Sequence, residues 1–326
     1  MRRSVVGLVG LALVVAGCGG KRDTGAAPQP GQQVPCEAAE GRITIATGNV
    51  GGVYYVLGGG LAQLISNNTK LKATAADTGA SVQNIQQLED KTYDVAFSLA
   101  DTAADAVNGK SSFEGKPQKI QALARIYSNY TQVVVRADSG INSVADFRGK
   151  RISTGSPKSG TEVIANRLMQ AEGLKEGDLS PQRLALRQSV DGMKAGTIDG
   201  LVWSGGLPTP EITDLTTSMK DRVKFVDITP QLGALKKLNP VYDQGAIPAA
   251  TYGLPADVPT IVVPNLLLVR TDFPAGNACA ITKLIFDRKD ELARTHPAAK
   301  EITKETAVKT DPVPLHPGAR QALGVN

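Results

Sequence analysis

Short apolar runs alternate with amphipathic stretches along the chain from residue 42 onward. Four apolar residues recur at helical spacing and share one face of a predicted helix: Leu57, Leu61, Leu64 and Ile65. The pattern around that helix predicts strands at 43–46, 71–74, 95–98 and 120–125, and helices at 81–88 and 101–107. Strands that alternate with helices in this way are typical of a parallel sheet covered by helices on both faces.

A second series with the same plan follows an extended stretch at 132–136 and a polar segment at 137–143. It predicts strands at 151–154, 184–186 and 198–203 and helices at 162–171 and 190–195, with Gly196 at a helix C-cap. Near the end of the chain, strands at 261–263 and 266–270 flank Pro264, and one helix carries Ile281, Leu284, Ile285 and Leu292.

About 285 residues follow residue 41, which suits two lobes better than one small core. The last strand and helix are interpreted as a return to the first lobe, so the connection between lobes acts as a hinge. We therefore predict a two-lobed α/β fold, with residues 42–136 and 258–326 in lobe 1 and residues 137–257 in lobe 2.

The N-terminus has the pattern of an export signal. Arg2 and Arg3 precede an apolar run at 5–16, which is too short to span a bilayer as a stable helix. The small residues before Cys18 resemble a bacterial lipobox, so we predict a signal peptide at 1–17 and a lipid on Cys18. A soluble exported protein with an ordinary cleavage site is the alternative.

Residues 18–41 contain almost no bulky apolar side chain and predict a flexible tether that holds the folded body roughly 25–30 Å from the membrane. Removal of residues 1–17 lowers the formal net charge from +5 to +3, because two arginines leave with them. That charge is too small to indicate nucleic-acid binding, and no basic cluster with interleaved aromatic residues occurs.

Two cysteines remain in the exported body, Cys36 and Cys279. Outside the cytoplasm an even pair favours a disulfide, which would join the end of the tether to a late helix. Two buried free thiols are the alternative.

The segment 47–55, TGNVGGVYY, joins the first strand to the first helix. Its glycines let a ligand approach the backbone, and the start of the helix offers free N–H groups and the positive end of the helix dipole. This turn predicts a cradle for a carboxylate or another small anion, with Gly48, Gly51 and Gly52 among its contacts and with Thr47 and Asn49 as side-chain donors at its mouth. A tight connection without a ligand fits the same residues.

Two further turns have the same chemistry, at 155–162 (GSPKSGTE) and 77–81 (DTGAS). Ser159 or Thr161 is the predicted N-cap of the helix at 162–171. Because ligands of open α/β sheets bind at the carboxyl ends of the strands, two such lobes would close over one anionic or zwitterionic solute.

Five segments together resemble the TAXI solute receptors of TRAP transporters: TGNVGGVYY at 47–55, TGASV at 78–82, VADFRGKRI at 144–152, SGTE at 159–162 and LHPGA at 315–319. The resemblance covers about residues 42–323. It implies a two-lobed periplasmic-binding-protein fold of the second type that closes on a small solute, often glutamate, glutamine or a related carboxylate. It also implies delivery of that solute to an ion-driven membrane permease.

Carried over by position, the resemblance implies these ligand contacts: Thr47, Gly52, Val53, Tyr54, Thr78, Ser81, Ser156, Ser159, Gly160 and Thr161. The chain departs from the family at 99–105, LADTAAD, where Asp101 is kept but the neighbouring amide, hydroxyl and aromatic residues are missing. This departure concerns the identity of the ligand more than the fold. Trp203, the only tryptophan, ends a strand and is a candidate to pack on the ligand or in the core.

Catalysis is not expected. The two histidines, His296 and His316, precede prolines and are interpreted as helix-end residues, and no nucleophile elbow, zinc motif or P-loop occurs. We expect no catalytic residue, no metal, no cofactor and no nucleic-acid partner, and a monomer that works with a TRAP-type permease. A lipoprotein that keeps the binding fold but serves as a sensor is the alternative.

Overall fold

A computed structural model describes residues 35–325, and the predicted signal at 1–17, the lipidation site Cys18 and most of the tether lie outside the described residues. In the described part the strands are β1 Gly41–Ala46, β2 Leu71–Ala76, β3 Val95–Leu99, β4 Ile120–Arg136, β5 Arg151–Ser153, β6 Ser180–Gln182, β7 Gly200–Gly205, β8 Val223–Phe225, β9 Asp243–Ile247 and β10 Val258–Arg270. The α-helices are α1 Val53–Asn68, α2 Ser81–Glu89, α3 Ala100–Val107, α4 Gly160–Ala171, α5 Leu186–Ala195, α6 Pro210–Met219, α7 Leu232–Leu238, α8 Ala249–Tyr252, α9 Ala275–Asp287, α10 Lys289–Thr295, α11 Lys304–Ala307 and α12 Pro317–Leu323. Among these helices none is long and apolar enough to cross a membrane.

The strands form a mixed sheet in the order β2-β1-β3-β10-β4-β7-β5-β6, with β8 beside β4 and β9 beside β10. Strand β1 lies parallel to β2 and β3, and β5 lies parallel to β6 and β7. We call β1–β3 with α1–α3 the first lobe and β5–β7 with α4–α6 the second lobe. The predicted two-lobed α/β fold is confirmed, and the expected parallel pairing is present within each lobe. The sheet as a whole is mixed, because β4 and β10 run antiparallel to their neighbours.

Strands β4 and β10 belong to both lobes. Residues 120–125 and 128–130 of β4 pair with β10, and residues 130–136 pair with β7 and β8. The pairing of β4 with β10 shifts register between Pro264 and Leu266. Two long strands whose pairing partners differ between their two ends therefore give the lobes two covalent connections. The predicted lobe boundaries stay a prediction.

Burial follows the apolar pattern. The predicted face of α1 is confirmed, since its four apolar residues are all no more than 5% exposed. Every residue of β3 is buried, as expected for a strand covered by helices on both faces. Gly196 ends α5 in the left-handed conformation (φ 71°), which confirms its predicted role as a C-cap.

Three local predictions were wrong. The strand predicted at 184–186 is absent from the described chain, because Leu186 starts α5 and the strand beside β5 is β6. The two strands predicted between 120 and 136 are one continuous strand, β4. The helix predicted to carry Ile281 and Leu292 is broken at Arg288 (φ −120°, ψ 25°), so the two residues lie on α9 and α10.

The predicted bond between Cys36 and Cys279 is confirmed, with a Cα–Cα distance of 5.1 Å. Next to it, the Ala39 N–H donates to Asn277 Oδ1 at 2.9 Å, and Ala38 is buried. The C-terminal end of the predicted tether is therefore attached to the folded body at α9.

Both histidines cap helical turns. The Gly318 N–H donates to His316 Nδ1 at 3.2 Å, and His316 Nε2 donates to the Phe273 carbonyl at 3.0 Å. His296 accepts from the Ala298 N–H through Nδ1 at 3.1 Å and donates to the Pro208 carbonyl at 3.0 Å. Burial lowers the pKa of both imidazoles, so each is held neutral as a structural cap.

Candidate functional site

A cavity of about 30 Å³ lies where the loops that follow the parallel strands of both lobes meet. Val53 of the first lobe and Ser159 of the second lobe line this same cavity. The glycine-rich turns at 47–55 and 155–162 therefore share one hollow. This is expected for open α/β sheets, in which the carboxyl ends of the strands face a common crevice.

Nine of the predicted ligand contacts line the cavity: Gly48, Gly52, Val53, Tyr54, Ser81, Ser159, Gly160, Thr161 and Trp203. Asn49, predicted as a side-chain donor at the mouth of the cradle, also lines it. Six further residues complete the wall and were not among the predicted contacts: Ala80, Leu99, Tyr127, Asn129, Ser204 and Gly205. Contact of any of them with a ligand stays a prediction.

Four α-helices begin at this cavity: α1 from the turn at 47–55, α2 from the turn at 77–81, α3 directly after β3, and α4 from the turn at 155–162. The N-cap residues of α1, α2, α3 and α4 are Gly52, Ala80, Leu99 and Ser159, and all four line the cavity. Only Ser159 caps its helix with a side chain, accepting from the Glu162 N–H at 3.0 Å. The N-cap residues of the other three helices provide no side-chain cap, although at α3 the Asp101 carboxylate accepts from the Thr102 N–H at 2.7 Å. The uncapped N–H groups at the starts of α1 and α2 contribute positive potential to the hollow.

Among the described residues that line the cavity, none carries a charge. The positive potential therefore comes from backbone dipoles rather than from lysine or arginine. Such a site favours a small anion, because oriented N–H groups stabilise negative charge at helix N-termini.

A chain of buried hydrogen bonds links α1 to the strands that join the lobes. The Tyr54 hydroxyl donates to Asn265 Oδ1 at 2.5 Å, and Asn265 Nδ2 donates to Asn129 Oδ1 at 2.8 Å. Asn129 Nδ2 then donates to the Ser204 carbonyl at 3.2 Å. Burial raises the pKa of Tyr54 well above its usual value, so the phenol stays neutral and keeps its proton for this chain.

Two buried hydroxyls in the cavity wall have no hydrogen-bond partner among the described residues. They belong to Tyr127, which is 1% exposed, and to Ser204, which is 6% exposed. An unpaired buried hydroxyl costs roughly 1–3 kcal/mol. These two groups are therefore the side-chain donors best placed to bind a guest in the hollow.

Trp203 lies at the boundary between the lobes. Its indole Nε1 donates to Thr209 Oγ1 at 3.1 Å, while its ring faces Gly52 of the other lobe. A Cβ on Gly52 would lie 3.3 Å from the ring and 3.1 Å from the Asn49 carbonyl. The glycine thus lets the indole pack directly on the start of α1, and the side chain borders the cavity rather than lying in the core.

Four further predicted contacts do not line the cavity. Three of them use their hydroxyl groups in other hydrogen bonds, and the fourth is a glycine. Thr47 Oγ1 donates to the Ala76 carbonyl at 2.6 Å, and Thr78 Oγ1 donates to Asn84 Oδ1 at 2.6 Å. Ser156 Oγ donates across the lobes to Asn49 Oδ1 at 2.8 Å. Gly51 has φ +83°, and a Cβ there would meet the Glu211 carboxylate within about 2 Å.

Asp101 also lies away from the cavity wall. Arg167 on α4 donates to Asp101 Oδ2 at 2.9 Å and to Asp105 Oδ2 at 2.5 Å, and the Tyr242 hydroxyl donates to Asp101 as well. All four residues are buried. Burial alone would lower the pKa of Arg167, but the facing acidic groups raise it, so the guanidinium stays charged and joins the two lobes.

The predicted cap of α4 is Ser159 rather than Thr161, whose Oγ1 instead accepts from the Ser204 N–H at 3.2 Å. Tyr127 and Asn129 were missed although a signal existed. They stand two apart in β4, so they face the same side of the sheet, within a polar stretch in the middle of an otherwise apolar strand.

The family model of the NMT1-like family matches residues 45–323 of this chain. Among solved structures, a binding protein component of a Pseudomonas aeruginosa ABC phosphonate transporter superposes with a TM-score of 0.55 at 10% identity, covering 81% of this chain and 80% of that chain. A Bordetella bronchiseptica RB50 protein gives 0.54 at 20% identity, covering 90% of each chain. A Xanthomonas citri protein bound to ATP gives 0.51 at 12% identity, covering 87% of this chain and 94% of that chain. At these identities the likeness shows a common fold.

Proposed function

The chain belongs to the NMT1-like family, and on that premise we propose that it is an exported solute-binding protein that captures a small anion between its lobes and passes it to a membrane permease. One observation carries the proposal: the starts of four helices, from both lobes, surround one buried hollow. The fold shared with a phosphonate transporter's binding component supports the same role.

Capture requires the lobes to open and close. We propose that the hinge between the lobes lies in the middle of β4 and β10, near residues 128 and 264, where the neighbouring strands change. Closure brings Ser156 to Asn49, and it brings the Gln83 N–H to the Lys158 carbonyl at 3.1 Å. Contacts of this kind form only when both lobes approach, so a bound solute that bridges the lobes would stabilise the closed arrangement.

The finer assignment is a lipid-anchored TAXI receptor of a TRAP transporter, with the lipid on Cys18, the lobes divided at residues 136/137 and 257/258, and a carboxylate or amino acid as solute. The five segments that resemble the TAXI receptors support the TRAP partner, whereas the phosphonate-binding neighbour works in an ABC transporter. Labelling with a lipid precursor, compared between the native chain and Cys18→Ser, tests the anchor, and loss of label in the variant is the expected result.

A solute screen tests the proposal directly. Thermal shift and Trp203 fluorescence are recorded with carboxylates, amino acids, phosphonates and sulfonates, because the indole borders the cavity. We expect one solute per chain with a micromolar dissociation constant or tighter, about −8 kcal/mol. Trp203→Phe is the control that shows whether the optical signal arises at the cavity. Failure of all four classes to raise the melting temperature would refute capture of a small anion.

A further inference from the structure

We infer that the solute is a compact organic anion that carries no ammonium group and offers a carbonyl or hydroxyl oxygen, that is, an oxo or hydroxy acid rather than an amino acid. The inference rests on the proposed function and narrows its substrate class. It follows from the charges near the cavity and from the two unpaired hydroxyls in the cavity wall.

The anionic end of the guest is served by backbone alone. In the described structure the N-cap residues of α1 and α2 provide no side-chain cap, and these helices have 16 and nine residues. Negative charge placed among their N–H groups is stabilised without any cationic side chain. A carboxylate fits such a site.

Among the described residues, no carboxylate lines the cavity wall to face a positively charged group. Asp101 is bound to Arg167, and Glu162 faces Arg183 at 2.7 Å while accepting from the Lys158 N–H. Glu211 does not line the cavity; it faces Arg187 at 3.7 Å, and its buried Oε2 has no hydrogen-bond partner among the described residues. An ammonium in the closed cavity would therefore lie beside helix dipoles of the wrong sign with no counter-ion in the wall, which is strongly unfavourable for a buried charge.

The rest of the guest meets neutral donors. The hydroxyls of Tyr127 and Ser204 are buried, lie in the cavity wall and lack partners among the described residues. Burial raises the pKa of Tyr127 well above its usual value, so its phenol is protonated and can donate. A carbonyl or hydroxyl oxygen of the guest accepts from their O–H groups, whereas an ammonium can only donate to the hydroxyl oxygens and leaves both O–H groups unpaired.

The size of the closed cavity favours a short solute. At about 30 Å³ the cavity is small for any organic acid, so a short acid needs the least displacement of its walls. The test therefore begins with a three-carbon pair.

The experiment compares acids of equal carbon skeleton by calorimetry with the full chain. The pairs are pyruvate with L-alanine and 2-oxoglutarate with L-glutamate, and L-lactate serves as a hydroxy acid. We expect the oxo acid of a pair to bind roughly 100-fold more tightly than its amino acid, because the ammonium lacks a counter-ion. Equal or tighter binding of the amino acid overturns the inference but leaves the proposed capture of a solute intact. If no acid or amino acid binds, and the wider screen is also silent, both fail.

A pair of conservative variants tests the donor. Tyr127→Phe removes the unpaired hydroxyl, and Tyr130→Phe is the matched control because Tyr130 does not line the cavity. We expect Tyr127→Phe to weaken binding of the oxo acid roughly tenfold. Its unfolding midpoint should not fall, since the hydroxyl has no partner to lose, and Tyr130→Phe should bind normally. Unchanged affinity in Tyr127→Phe would overturn the assignment of this donor.

One further variant tests whether Glu211 acts as a counter-ion for the ammonium group of an amino acid. If L-alanine or L-glutamate binds tightly and Glu211→Gln removes that binding, Glu211 supplies the missing negative charge and the inference is wrong. If Glu211→Gln leaves the affinity for the oxo acid unchanged and the amino acids still bind weakly, the neutral cavity is supported.

Discussion

Gly160, the first residue of α4, is the position where closure is most sensitive to a single methyl group. A Cβ at this position would lie 2.5 Å from Leu99 Cδ1 and 2.7 Å from Ser81 Oγ, both in the other lobe. Leu99 and Ser81 are 2% and 1% exposed, and the Leu99 N–H donates to Ser81 Oγ at 3.1 Å. Both side chains would have to shift toward the cavity that they line, which is the space the solute would occupy.

The cost of Gly160→Ala can be derived from this overlap. An extra methyl group in a well-packed site typically costs about 1–3 kcal/mol. In the open protein the methyl group meets nothing from the first lobe, and alanine suits a helix better than glycine. The cost therefore falls on the closed, solute-bound state alone and should weaken binding by about 5- to 150-fold.

Calorimetric titration with the tightest-binding acid measures this effect, and the melting temperature without solute should stay equal or rise. Gly59→Ala on α1 is the matched control, because a Cβ there meets no atom within 4 Å and should leave the affinity unchanged. Small-angle scattering with saturating acid should show a more open particle for Gly160→Ala. Native affinity and native compaction in this variant would refute the close approach of α4 to Leu99 in the bound state.

Three further predictions concern stability. Arg167→Met leaves two buried carboxylates unpaired and should lower the free energy of unfolding by about 3–5 kcal/mol in urea titrations, whereas Lys283→Met, at an exposed pair, should change it by less than about 1 kcal/mol. Burial lowers the pKa of folded His316, so the unfolded chain binds the proton first and stability falls as the pH drops below about 6.5. His316→Asn should make that decline shallower. Replacing Cys36 with Ser removes the bond to Cys279 and should lower the unfolding free energy by about 2–4 kcal/mol.

For each of these three stability predictions, one result would contradict the reasoning. Equal effects of Arg167→Met and Lys283→Met would mean that the buried network does not hold α3 to α4. An unchanged pH profile in His316→Asn would mean that the imidazole titrates normally in the folded protein. Two free thiols in the unfolded, unreduced protein without Cys18 would exclude the disulfide.

The helices and their starting turns were predictable because both depend on neighbouring residues. The apolar stripe of α1 and the C-cap at Gly196 follow from spacing and from the conformational freedom of glycine. The strand predicted at 184–186 failed since a short apolar run fits a strand and a buried helix start equally well. Nothing local in the sequence reveals that β4 and β10 run antiparallel between two parallel sets of strands.

At the site, the sequence by itself determined the glycine-rich turns and the helix starts, because a strand, a turn and a helix in succession fix where the N–H groups point. Only the tertiary structure decided which side chains share the cavity with them. It turned Asp101 toward Arg167 and placed Tyr127 and Asn129 in the wall, and within residues 35–325 it brought no charged side chain to the hollow. Those outcomes depend on contacts between residues far apart in the chain, whose distances no local pattern encodes.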